Sequence, residues 1–126
     1  MPYVADAHSW VYYLTGKLSR KANGVFISVE NGEDVMYVST IALAECLYLS
    51  NKGKISLDVK ELFNKFEISL NFIPVSFNFE VVKLLPSIKI KELHDRIIVA
   101  TSKLLNAKLI TKDREIRNSG LVETIW

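Results

Sequence analysis

Four carboxylates are spaced along this chain in a way that points to metal-assisted chemistry. Asp6 directly follows a short apolar strand, Pro2 to Ala5, and Asp113 stands just beyond a short buried strand, Lys108 to Thr111. Asp95 falls in the first turn of a helical pattern. Glu45 stands one turn into a different helix, among Ile41, Leu43, Ala44, Cys46 and Leu47. An ionised carboxylate in apolar surroundings is costly unless a cation or hydrogen-bond donors accompany it. Ligands of open α/β sheets bind at the carboxyl ends of the strands, so acids at strand ends and helix starts can converge on one rim. A hard divalent ion such as Mg²⁺ takes oxygen ligands and retains several waters. Held at such a rim, it activates water and stabilises charge on a phosphodiester.

Each acid also has a purely structural reading. Asp6 and Asp113 are placed to cap the helices that follow them. Asp95 complements the positive end of a helix dipole, and Glu45 can serve a structural ion pair. The combination of the four, in this order, favours a site.

Alternating strand and helix patterns must position these acids. After the strand Pro2–Ala5, Trp10, Val11 and Leu14 share a helical face that Thr15-Gly16 closes. Ser19 reads as the N-cap of a helix carrying Ala22, Val25, Phe26 and Val29, stopped by Asn31-Gly32. Val35 to Val38 is the second strand, and Ser39-Thr40 caps a helix with Ile41, Ala44, Leu47 and Tyr48. Asp58 and Glu61 resemble a capping box ahead of Val59, Leu62, Phe63 and Phe66. Asn71 to Val75 is a third strand, and its Pro74 marks a sheet edge. Ser76 is placed to cap a short helix with Phe79, Val82 and Leu85, which Pro86 ends.

Leu93, Ile97, Ala100, Thr101, Leu104 and Leu105 form one face of the next helix. Asn106-Ala107 closes it, and the strand Lys108–Thr111 follows. A short helix from Asp113 to Asn118, the turn Ser119-Gly120 and a last strand, Val122 to Ile125, complete the chain. Strands separated by helices imply right-handed crossovers and a mostly parallel sheet with helices on both faces. The expectation is a single α/β domain over residues 1–126.

Composition sets outer bounds. Hydrophobic residues make up 49% and charged residues 24%, values of an ordinary soluble globular protein rather than a disordered one. The net charge of +2 permits a nucleic-acid partner without arguing for it. Cys46, the one cysteine, cannot form an internal disulfide, which favours a reducing compartment. No apolar run approaches a membrane span, and Asp6 interrupts any early apolar core of a signal peptide. The expected location is the cytoplasm.

Three stretches together carry a family resemblance: VADAHSWVYYLTG, YVSTIALAECLYLSNKGKI and LHDRIIVATSKLLNAKLITKD. In order and spacing they resemble the PIN domain, close to the VapC-type ribonuclease toxins of toxin–antitoxin pairs, over essentially the whole chain. The resemblance implies a three-layer α/β/α fold around a five-stranded sheet in the order 3-2-1-4-5. It implies a Mg²⁺- or Mn²⁺-dependent endoribonuclease with Asp6, Glu45, Asp95 and Asp113 as metal-binding and catalytic acids, supported by Thr111. The implied partners are RNA, a second copy in a homodimer, and a small antitoxin whose tail blocks the acidic groove. Many relatives have a longer segment with a second Asp and a Pro where this chain has only His94-Asp95-Arg96.

Two other readings remain beside it. One is a catalytically inactive PIN-fold module that binds RNA or protein. The other is a receiver-like α/β domain, but such domains bring paired acids after the first strand, whereas Asp6 stands alone. His8 and His94 are expected in capping or surface contacts, because a Mg²⁺ site does not need imidazole. Cys46 is expected in the core. Trp10, Tyr12 and Tyr13 offer either a stacking surface for RNA or core packing, with packing favoured. Arg96, Lys112, Arg114 and Arg117 either hold phosphates or offset the acids.

Overall fold

A computed structural model describes Met1–Trp126. Its five strands form one sheet in the order β3-β2-β1-β4-β5, with every neighbouring pair parallel. The elements are β1 (Pro2–Ala5), α1 (Ala7–Thr15), α2 (Arg20–Glu30), β2 (Val35–Ser39), α3 (Thr40–Asn51), α4 (Val59–Ile68) and β3 (Phe72–Val75). They continue as α5 (Phe79–Leu84), a 3₁₀ turn (Leu85–Ser87), α6 (Leu93–Leu104), β4 (Lys108–Ile110), α7 (Arg114–Ser119) and β5 (Thr124–Ile125). This is the α/β/α architecture and strand order expected from the sequence, with the sheet wholly rather than mostly parallel.

Right-handed crossovers place α1–α4 on one face of the sheet and α5–α7 on the other. The central strands β1 and β4 are therefore covered on both faces, and Val4, Ala5, Leu109 and Ile110 are fully buried. On the first face Trp10 meets Tyr13, Phe26 and Phe66 edge-on. Such edge-to-face aromatic contacts add about 0.5–1.5 kcal/mol each beyond area burial. Burying Phe26 alone is worth about 1.5–3 kcal/mol. Cys46 lies in the same layer, its thiol against the Ala7 carbonyl at 3.5 Å. On the second face α6 is buried almost all round from Ile97 to Ser102, because it packs against the sheet and against α5.

Several local expectations shift. α5 is capped by Asn78, whose Oδ1 accepts from the Val81 N–H, and not by Ser76, which lies too early in the chain. That offset turns Val81 inward and leaves Phe79 and Val82 exposed. Pro86 does not end the segment abruptly; the chain tightens into the 3₁₀ turn instead. Ser39 precedes α3 without a side-chain cap bond. α3 buries Ala42 and Cys46 while Tyr48 and Ala44 face outward, because the helix turns the Ala42–Cys46 side toward its contacts with α1 and α6. Leu93 and Leu104, at the two ends of α6, are exposed.

Register decides where the acids go. Ala5 pairs with Ile110, so Asp6 and Thr111 leave the ends of β1 and β4 side by side. The Asp6 N–H continues the ladder to the Ile110 carbonyl at 3.2 Å.

Candidate active site

An open cleft of about 590 Å³ lies at the carboxyl end of the sheet, and Asp6, Glu45, Asp95 and Asp113 all line it. Four elements deliver them. Asp6 closes β1 and caps α1, accepting from the Ser9 N–H at 2.9 Å through Oδ1. Asp113 follows β4 and caps α7, accepting from the Ile116 N–H at 2.9 Å. Glu45 projects from α3, and Asp95 from the first turn of α6. Capping and site geometry are therefore the same arrangement for Asp6 and Asp113, because one oxygen fastens the helix and the carboxylate still faces the cleft.

Thr111 locks two of these acids together. Its hydroxyl donates to Asp6 Oδ2 at 2.5 Å and accepts from the Asp113 N–H at 3.1 Å, and it is fully buried. Ser9 adds a second fastening, its hydroxyl donating to the Ile110 carbonyl at 3.0 Å. Asp6 is thereby the most constrained of the four.

Asp95 is the opposite case. Its N–H is taken by Glu92 Oε2 at 2.8 Å, but no protein donor reaches its carboxylate. Burial, then Asp113, Glu92, Asp6 and Glu45, push its pKa up to about 6. Glu45 is also raised, chiefly by burial; His94 opposes the shift while Glu92 and Asp6 add to it. His94 Nδ1 stands 2.8 Å from Glu45 Oε1 and 3.5 Å from Glu92 Oε1, so this imidazole bridges α3 to the start of α6. The cleft is thus short of positive charge.

A divalent cation fits that deficit by donor type. The cleft offers carboxylate oxygens and no thiol, which suits Mg²⁺ or Mn²⁺ better than a soft metal. No three His, Cys, Asp or Glu side chains converge tightly enough to form a ready coordination shell. Mg²⁺ habitually keeps several waters and is bound through one or two carboxylates, so a wide acidic cleft remains compatible with it.

Of the aromatic trio, Trp10 and Tyr13 enter the core, and Tyr12 alone lines the cleft. Trp126 packs against Tyr12, with ring centroids 5.6 Å apart. Lys112 and His8 also line the cleft, and Lys112 sits over the Tyr12 ring. Arg96 is a structural group, its Nε donating to the Ile90 carbonyl at 2.9 Å. Glu92 is a cap that the sequence does not signal, because Glu seldom supplies the side chain three residues before the N–H it accepts from.

A family profile for the PIN domain matches residues 3–120. The chain belongs to the PIN domain family. Among solved structures, this PIN chain is similar to VapBC2 from Rickettsia felis, solved bound to a DNA fragment from their promoter. The two are 20% identical, with a TM-score of 0.73 over 100% of this chain and 99% of that one. It is similar to FitAcB from Neisseria gonorrhoeae at 18% identity, with a TM-score of 0.66 over 98% and 96% of the two chains. It is also similar to DNA-bound VapBC from Salmonella typhimurium at 12% identity, with a TM-score of 0.72 over 99% and 97%. At these identities the likeness establishes the fold. No curated protein matches the chain. No helix is long and apolar enough to cross a membrane.

Proposed function

We propose that residues 1–126 form one nuclease domain that cleaves RNA phosphodiester bonds with Mg²⁺ or Mn²⁺, as the toxin of a toxin–antitoxin pair. The observation that supports it is the acidic cleft, in which four carboxylates from four elements face one space and Asp95 has no protein donor. A divalent ion bound there supplies water activation and relief of the negative charge that builds on the phosphodiester.

The chain's own residues prepare the site. Thr111 and the α1 N-terminus fix Asp6 so that its orientation costs nothing when substrate arrives. Glu45, Asp95 and Asp113 complete the oxygen donors, and His94 holds the Glu45 side chain. Lys112 at the rim draws the RNA backbone toward the acids. The partners proposed are RNA, a second copy in a homodimer and a small antitoxin. The antitoxin is supported by the fold's likeness to a toxin–antitoxin complex from Klebsiella pneumoniae, with a TM-score of 0.66. Cytoplasmic placement rests on the free, buried Cys46.

An inactive PIN-fold binding module is the second reading, favoured by the dispersed acids and by the His94 contact on Glu45. Incubating RNA with wild type and Asp6→Asn, in Mg²⁺ and in EDTA, separates the two. The nuclease reading expects Mg²⁺-dependent cutting lost in Asp6→Asn, which retains the helix cap. RNA left intact by folded wild type, or cutting that survives EDTA, rejects it.

A further inference from the structure

Beside the acidic cleft lies a second one of about 470 Å³, lined by Arg114, Arg117, Asn118 and Thr124 and by no apolar residue. Arg114 and Arg117 are three residues apart on α7, so their side chains share a face, while Glu115 between them points elsewhere. Neither guanidinium takes part in any of the protein's ion pairs. Two unpaired forks beside an amide and a hydroxyl make a surface for an anion, since a guanidinium matches phosphate oxygens two at a time. The absence of apolar lining argues against a drug-like or lipid ligand.

The two clefts meet along the chain. Lys112 and Asp113 line the acidic one, and the very next residue, Arg114, lines the basic one. A polyanion entering the acidic cleft is repelled by the carboxylates there, so its affinity has to come from cations outside. Arg114 and Arg117 supply them just beyond Asp113, and Lys112 adds a cation on the acidic cleft itself.

We propose that the Arg114–Arg117 cleft is a phosphate-binding subsite for the single-stranded RNA whose backbone continues out of the acidic cleft. The proposal rests on the ribonuclease reading and names where its substrate is held. The arginines grip backbone phosphates, while Asn118 and Thr124 reach sugar or phosphate oxygens. Contacts of this kind set register without reading sequence.

The test is binding of a fluorescein-labelled single-stranded RNA in EDTA across a salt series. It compares wild type, the double variant Arg114→Gln/Arg117→Gln and the charge-preserving Arg114→Lys/Arg117→Lys. Each phosphate contact contributes about 0.7 to the log–log salt slope for single strands. The glutamine variant should therefore lose about 1.4 from the slope, and the lysine variant should keep it. Wild-type cleavage in Mg²⁺ is measured alongside. Equal slopes in all three proteins, with that cleavage intact, overturn the subsite and leave the ribonuclease reading standing. A lost slope with no wild-type cleavage supports the subsite as an RNA contact and removes the nuclease reading. An unchanged RNA slope with loss of binding to a glutamate-rich peptide gives the cleft to an acidic protein partner and overturns the proposal.

Discussion

The Thr111 hydroxyl donates to Asp6 Oδ2 at 2.5 Å, tying the end of β4 to the end of β1 through a fully buried contact. The same oxygen accepts from the Asp113 N–H. Thr111→Val keeps the shape and removes both bonds, leaving the part-buried Asp113 N–H and an oxygen of the buried Asp6 carboxylate without these partners. Such a loss costs about 1–3 kcal/mol, a drop of several degrees in melting temperature. Thr111→Ser should recover most of it. Thermal melts of the three proteins check this, and a valine variant that melts with wild type would remove the tether.

Glu45→Gln should fold normally, because the amide oxygen can still accept from His94 and the half-buried negative charge is gone. Cleavage should fall by more than about 100-fold, since a direct oxygen donor is lost where even supporting groups around metals cost 10–100-fold. Circular dichroism and an RNase assay on the same preparation separate the outcomes. A folded, fully active variant would take Glu45 out of the site.

The pH dependence of the metal-free protein follows from Asp95, whose pKa of about 6 lies above its ordinary 3.8. A raised acid penalises the folded state wherever it is ionised there, so the penalty is full above about pH 6. It fades as pH falls from 6 toward 3.8, where the unfolded chain also protonates. In EDTA the melting temperature should rise on acidification from neutral pH into that window, and Asp95→Asn should make the rise smaller. Glu45, raised in the same direction, adds to it. A wild-type melting temperature that falls steadily from neutral pH would contradict the shift.

What the sequence made legible was local. Asp6, Ser19, Asp58 and Asp113 cap helices that begin with the next residues, and Gly16 and Gly120 end helices at positive φ, so short spacings sufficed. The meeting of the four acids at one cleft, with Thr111 beside Asp6 and Asp113, was legible too, through the order of the motifs. What lay beyond reach depends on docking between distant elements. The contact of His94 with Glu45 exists only because α6 lies against α3. Trp10, Tyr12 and Tyr13 are near neighbours in sequence, yet the helix turns Trp10 and Tyr13 to the core and Tyr12 to the cleft. Trp126 reaches Tyr12 only through the pairing of β5 with β4.

The central claim is that these acids share one cleft in which carboxylates outnumber cationic side chains and which takes a divalent cation. The most direct measurement is the thermal melt of wild type, Asp95→Asn and Asp113→Asn, in EDTA and in millimolar Mg²⁺. In EDTA Asp95→Asn should be more stable than wild type by about 1 kcal/mol, a figure already reduced for solvent screening of a half-exposed group. Asp113→Asn should be no less stable, because Asn caps α7 as Asp does. Mg²⁺ should raise the wild-type melting temperature and do little for either variant. Both variants melting below wild type in EDTA, with Mg²⁺ moving none of the three, would make these acids structural groups and contradict the metal site.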